Sequence, residues 1–408
     1  MTSRLAVSRR TVLASVAVAL VAALAPAATP ASAATAAKPY AYPVRPGTAA
    51  WAALPTHDAM LRATQLPAGT ASAMPTDQLV ATVLAYPLLR DALAFNSVQQ
   101  GIEIVASRFN GLAELLRRPD AGQALLARYR ALDVAAPASA TPSQAGDHSY
   151  AVWAVESLLA QPQVLGTLSA KQLDSSLKVG QDKYAAKQAN AAVYGRAGLE
   201  PTAVLLGRTL ATREGWDWRQ SALLRDAIAP GGQDLDSVLP AVKQHFAEPN
   251  RTHPVGGGIS TQDHGSTVYT PNGTPVAVTT VTIELSAAQI ASNNNWVAAN
   301  YPAASRETNS SRKYNCHSYA WYSTSTANDR WMNTPGDDTY WNDGSYTRWH
   351  PPYIYFANMR WSWANGDHSG IEVGTSGNIR SKWGQLPRMY HRWDYSPYNR
   401  SVLNFYFR

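Results

Sequence analysis

Between Thr76 and His245 apolar side chains recur at three- and four-residue intervals, the spacing that gathers them on one face of a helix. Leu79, Val80, Val83 and Leu84 form such a face in a segment that Thr76 can cap, predicting a helix over Asp77 to Tyr86 that Pro87 interrupts. Ser97 with Gln100 has the form of a capping box ahead of Ile102, Val105 and Phe109, and Asn110-Gly111 supplies a stop. A third helix is expected near Asp120 to Leu132. A stretch rich in Ala, Pro and Ser, near residues 133–147, separates this block from a second one. There Trp153, Leu158 and Leu159, and later Leu223, Leu224 and Ile228, supply apolar faces. No repeat relates the two blocks. Neither carries a chemical motif, so the whole helical region, 76–249, is assigned to packing, spacing or partner contact.

The period then changes. From about Thr252 the chain turns to Gly, Thr, Val and Asn, and two strand-like runs, Ser266 to Thr270 and Thr274 to Glu284, flank Pro271-Asn272-Gly273. Asn-Gly between alternating segments predicts a β-hairpin, which occupies 250–284. Ser286 is placed to cap a helix through Trp296 to Asn300, and short strands and loops follow. The fold class expected is α+β: a helical N-terminal region, then a domain over 285–408 with a small antiparallel sheet.

The front of the chain bears on compartment. Arg4, Arg9 and Arg10 precede an apolar run from Val12 to Ala25, closed by Pro26 and Ala31-Ser32-Ala33. This has the form of a secretory signal cleaved after Ala33, and Arg9-Arg10 resembles a twin-arginine signal, although Val12 stands where Phe is usual. Residues 34–75, dense in Ala, Pro, Thr and Gly, look like a loosely ordered linker. Without the leader the chain keeps 32 basic and 28 acidic side chains. That mild excess suits an anionic surface such as wall polymer and falls short of a nucleic-acid stripe. No second apolar run reaches the roughly 20 residues a membrane helix needs, so no membrane segment is expected after the leader is removed.

Cys316 is the only cysteine. A lone thiol outside the cell has no intrachain partner and is open to oxidation, which a reactive role would explain. A helix beginning at or just after Cys316 would aim its free N–H groups at the sulfur and favour the thiolate. Four histidines compete as its base. His317 adjoins Cys316, and neighbouring helical residues point about 100° apart, so it is expected to reach the sulfur poorly. His350 precedes Pro351-Pro352, and His391 lies among Arg388, Arg392 and Trp393. His368 enters a strand-like run, Ser369-Gly370-Ile371-Glu372-Val373, and a strand is a stiff mount for proton transfer.

Asn315-Cys316 and His368-Ser369-Gly370-Ile371 together resemble the papain-like cell-wall amidases and peptidases of the NlpC and CHAP types, over roughly 285–408. The resemblance implies a papain-like fold with a Cys316–His368 dyad and a third polar residue on the next strand. Gly374-Thr375-Ser376-Gly377 should turn the His368 strand into Asn378 to Gly384, setting Gly370 opposite Ser381 and His368 opposite Trp383. Ser381 is then the expected orienter, weaker than the His, Asn or Asp usual in that superfamily, with Gln385 or Asn378 as alternatives. Asn315, Trp321 and Trp383 are the expected substrate contacts. Nine of the 13 tryptophans lie from Trp296 onward, which fits either a core or a surface that grips glycan or peptide.

The expected function is a secreted cysteine hydrolase that cleaves amide bonds, in peptidoglycan peptides by resemblance, without metal or cofactor. A non-catalytic glycan- or peptide-binding module and an acyltransferase using the same dyad are the alternatives. H-E-x-x-H and G-x-S-x-G are absent, and Asp337-Asp338 with Asn342-Asp343-Gly344 lacks calcium-loop spacing and reads as turn. The oligomeric state and the scissile bond are not legible.

Overall fold

The computed structural model describes residues 37–408 apart from 138, 233–234, 256–264, 351–354, 364–365 and 399–401. The stretch expected as a leader, with its arginine pair, lies outside the described residues. Helices occupy the N-terminal half and antiparallel strands dominate the C-terminal third, an α+β arrangement.

Residues 37–408 pack as one compact unit. A single buried apolar cluster runs from Tyr42 and Trp51 through Leu158 and Leu206 to Trp361, Trp383 and Phe405, so helices and sheet share a core. The stretch expected as a loose linker is ordered over its described part: it holds short helices at Ala49–Ala52, His57–Ala63 and Thr70–Ala73. Trp51 is fully buried there and donates from Nε1 to Asn300 O at 2.8 Å. Helices of one or two turns are too short to display a period, which is why composition alone misread them.

The longer elements follow their signals closely. Ser286 caps Ala287–Asn300 with a complete capping box to Gln289. That helix packs on Pro142–Leu159, where a Cβ on Gly146 would stand 2.0 Å from Ala288 O. Ser97 caps Val98–Arg108 from its side chain. Asn110-Gly111 does not end the helical path, because a new helix runs Asn110–Leu115.

The expected hairpin forms between Gly265–Tyr269 and Pro275–Thr280, and Arg330–Trp331 adds a third strand. Gly273, at φ +86, supplies the left-handed residue of its turn. The larger, seven-stranded sheet runs in the order Ser305–Arg306, Arg388–Arg392, Asn378–Lys382, Ser369–Glu372, Arg360–Trp363, Leu403–Phe407, Thr347–Trp349. Within it Ile371 pairs with Arg380 and Glu372 with Ile379, the register the four-residue loop predicts.

Candidate functional site

A helical turn begins at Cys316 and widens into a π turn over Ser318–Tyr322, closed by Ser323 N donating to Ser318 O at 2.9 Å. Asn315 caps this turn, its Oδ1 accepting from Ser318 N at 3.2 Å and also from Met332 N at 3.2 Å. Its Nδ2 donates to Met332 O at 2.6 Å. Cys316 therefore sits at the amino end of a helical segment, as expected from sequence, and Asn315 is locked on both sides of its amide.

The group that meets the thiol comes from the helical half. Asn96 Oδ1 lies 3.8 Å from Cys316 Sγ and accepts from Asn315 Nδ2 at 3.1 Å. Its Nδ2 faces His317 Nε2 at 3.0 Å and donates to Gly366 O at 3.2 Å. The chain around Asn96 is anchored in the C-terminal third by three bonds. Leu93 O accepts from Gln385 N at 2.9 Å, Ala94 O from Tyr398 Oη at 2.7 Å, and Asn96 O from Trp331 Nε1 at 3.1 Å. Gly384 admits this segment, because a Cβ there would meet Leu93 O at 2.5 Å. Leu93–Asn96, itself buried, thus forms a plug against the thiol, and Cys316, His317 and His368 are all fully buried.

His317, expected to be a poor partner, is the imidazole at the centre of this cluster. Its Nδ1 is 2.9 Å from Ser369 Oγ and 3.0 Å from Asp337 Oδ2, and Trp321 Nε1 donates to the same Ser369 oxygen at 3.0 Å. Burial alone pushes the His317 pKa down, but Asp337 and then Cys316 outweigh it and hold it well above the usual value. Burial likewise lifts the Asp337 carboxyl, and the His317 ring more than offsets that.

The hydrogen bonds orient the Asn96 amide. Gly366 O can only accept and Asn315 Nδ2 can only donate, so the amide presents N–H to His317 Nε2 and its oxygen to the thiol. Asp337 favours a second proton on the ring; the plug withholds the place for it.

His368, Ser381 and Trp383 make other contacts. The His368 ring stacks on Tyr398, with centroids 3.4 Å apart and planes at 10°, and meets Trp363 edge-on at 4.6 Å. Neither ring nitrogen has a hydrogen-bond partner among the described residues. Burial, followed by His391 and His317, drives its pKa well below the ordinary value. Ser381 does not orient His368. Its Oγ is 2.7 Å from His391 Nε2 and accepts from Trp383 Nε1 at 3.0 Å, because the strand Arg388–Arg392 brings His391 to that face. Trp321 and Trp383 are core residues, 3% and 0% exposed, and Asn315 is 0% exposed, so none offers a free face.

Sequence reasoning missed Asn96 and Asp337. Asn96 lies 220 residues from Cys316, in a half that carries no chemical motif. Asp337 does belong to the turn expected for it, with Asp338 N donating to Pro335 O at 3.1 Å, but its carboxylate is directed inward and is 1% exposed. No protein-family model matches the chain, and no curated protein or solved structure matches it.

Proposed function

We propose that the protein is a latent cysteine amidase with Cys316 as nucleophile, His317 as acid and base, and Asp337 as the group that favours the imidazolium. One observation carries this reading: the Asn96 carboxamide sits between the thiol, the imidazole and the Asn315 amide donor. Its nitrogen faces the imidazole, and its oxygen faces the sulfur and the Asn315 amide donor. A cluster of buried ionisable groups at the start of a helix is also the environment that shifts pKa values for chemistry.

With the plug withdrawn, Nε2 is free to take the thiol proton and leave a thiolate–imidazolium pair. The thiolate attacks the amide carbonyl carbon, and Asn315 Nδ2 with the Cys316 backbone N–H steadies the oxyanion. His317 gives its proton to the departing amine. Water then yields a proton to His317, attacks the thioester and releases the acid with the thiol restored. The base in this reading is His317, where the family resemblance implied His368. Export and wall-peptide substrates rest on the leader and on that resemblance.

The test uses the chain lacking its leader, as Asn96→Ala and as Asn96→Ala/Cys316→Ala, incubated with purified wall peptides and read by mass spectrometry. Amide cleavage and an acyl adduct on Cys316 in the first form alone are expected. Transfer of the acyl group to an added amine would mark an acyltransferase. Equal outcomes with both forms, in protein shown to be folded, would remove Cys316 from any reaction and leave a binding module.

A further inference from the structure

We infer that Glu214, His245 and His253 form a divalent metal site, of the class that binds Zn2+, in the helical half of the chain. One ligand atom from each residue lies within 4.8 Å of the others. Glu214 closes the helix Glu200–Glu214, whose end is set by Gly215 at φ +76. His245 lies in the last turn of Val238–Ala247, and His253 follows it in the chain after that helix. The three therefore join elements that helix packing alone leaves to meet only at their ends.

The geometry is that of a ligand set. His245 Nδ1 is 2.8 Å and His253 Nδ1 2.9 Å from the same oxygen, Glu214 Oε1. The second oxygen, Oε2, is occupied separately by Trp216 Nε1 at 3.1 Å and His253 N at 2.6 Å. The carboxylate is thus steered to present one oxygen to both rings, which is how a monodentate ligand is held by its surroundings. In a tetrahedral zinc site with bonds of about 2.0–2.2 Å, donor atoms stand about 3.3 Å apart. The two nitrogen–oxygen distances must lengthen by only about half an ångström to admit the ion.

A further carboxylate stands behind one of the rings. His245 Nε2 lies 3.5 Å from Asp174 Oδ1, and that carboxylate is itself held by Arg213 Nε at 2.8 Å. When Nδ1 binds a metal, the proton sits on Nε2 and faces Asp174, giving the carboxylate–histidine–metal relay common behind zinc ligands. Two imidazole nitrogens and one carboxylate oxygen suit a borderline ion such as Zn2+ better than Mg2+ or Ca2+, which prefer oxygen ligands. With three protein ligands, the fourth position is left for water or an outside donor. The side chains are only 3–7% exposed, so the ion would be shielded and would tie the helix ends together. Sequence reading expected no metal because no short ligand motif is present. The three residues are separated by 31 and 8 positions, and only folding brings them together.

The experiment is a zinc titration of the untagged, metal-stripped chain against a chromophoric chelator, with bound zinc counted by elemental analysis after desalting. One equivalent per chain, bound more tightly than 1 µM on the order expected for such a site, is the supporting result. His253→Ala and Glu214→Gln should weaken binding at least about 100-fold, and Asp174→Asn, at a half-exposed position, by about 10–100-fold. Should either ligand variant fail to fold, the Asp174→Asn shift and the visible spectrum of the Co2+ form still decide. Absence of zinc binding, or binding unchanged in all three variants, overturns the site.

Discussion

Replacing Asn96 by Ala should expose Cys316 without unfolding the protein. The lost side chain spans two donor contacts, to His317 Nε2 and Gly366 O, and accepts from Asn315 Nδ2 and, weakly, from the thiol. Asn315 Nδ2 keeps Met332 O, and Gly366 O keeps the Thr334 hydroxyl at 2.9 Å, so each of those bonds is worth about 1 kcal/mol net. His317 Nε2 loses its partner inside the core, which costs about 1–3 kcal/mol. The sum, about 4 kcal/mol, lies inside the 5–15 kcal/mol that a folded domain typically has in hand. Applied to local release of the plug, it raises the open population about a thousandfold. Iodoacetamide labelling of Cys316, followed by intact mass with and without low denaturant, reads that population directly. Labelling should rise by two to four orders of magnitude and depend only weakly on denaturant, the mark of local opening. A rise below tenfold in folded protein, or one that tracks global unfolding, would refute the reasoning.

Three further outcomes follow from the same geometry. Gly384→Ala, at φ +49 and with its new Cβ 2.5 Å from Leu93 O, should destabilise the chain and increase Cys316 labelling, as the Asn96 change does; unchanged labelling would deny that Leu93–Asn96 is the cover. Ser381→Ala leaves His391 Nε2 with only Trp383 Nε1 at 3.3 Å and should cost about 1–2 kcal/mol in denaturant melts; it should not alter thiol reactivity in the Asn96→Ala background, whereas an orienting role toward a catalytic base would lower it. His391 is buried and its pKa is lowered from 6.5 to about 4 by burial, so below pH 6.5 the unfolded chain binds more protons. Stability should be full above that pH and lost as pH falls toward 4, by about 3 kcal/mol from this ring, with His368 acting in the same direction. A flat stability profile between pH 7 and 4 would contradict it.

What was legible in the sequence was local. Ser286 with Gln289, Pro271-Asn272-Gly273 and Gly374-Thr375-Ser376-Gly377 act through neighbours a few residues away, and the capped helix, the hairpin and the strand register follow from them. The start of a helix at Cys316 was expected from the Asn315-Cys316 pair of the resemblance, and the cap that Asn315 supplies there was not. The partners of the thiol were not. The argument that disfavoured His317 assumed that its ring must swing directly to the sulfur. In the fold the Asn96 amide bridges the two side chains, and Asp337 arrives from a separate turn. Ser381 was placed on the correct strand at the expected register, but the adjacent strand carries His391 and claims its hydroxyl. Tryptophan density signalled an aromatic core and could not say which rings face solvent; Trp321 and Trp383 are enclosed.

The central claim is that the Asn96 amide stands between an imidazole and a thiol that would otherwise exchange a proton. Thiolate absorbance near 240 nm at neutral pH, taken as the difference between Asn96→Ala and Asn96→Ala/Cys316→Ala, tests it directly. A thiolate band in the Asn96→Ala chain that is lost on adding His317→Ala is the expected result. No such band, or one unchanged by His317→Ala, would contradict it.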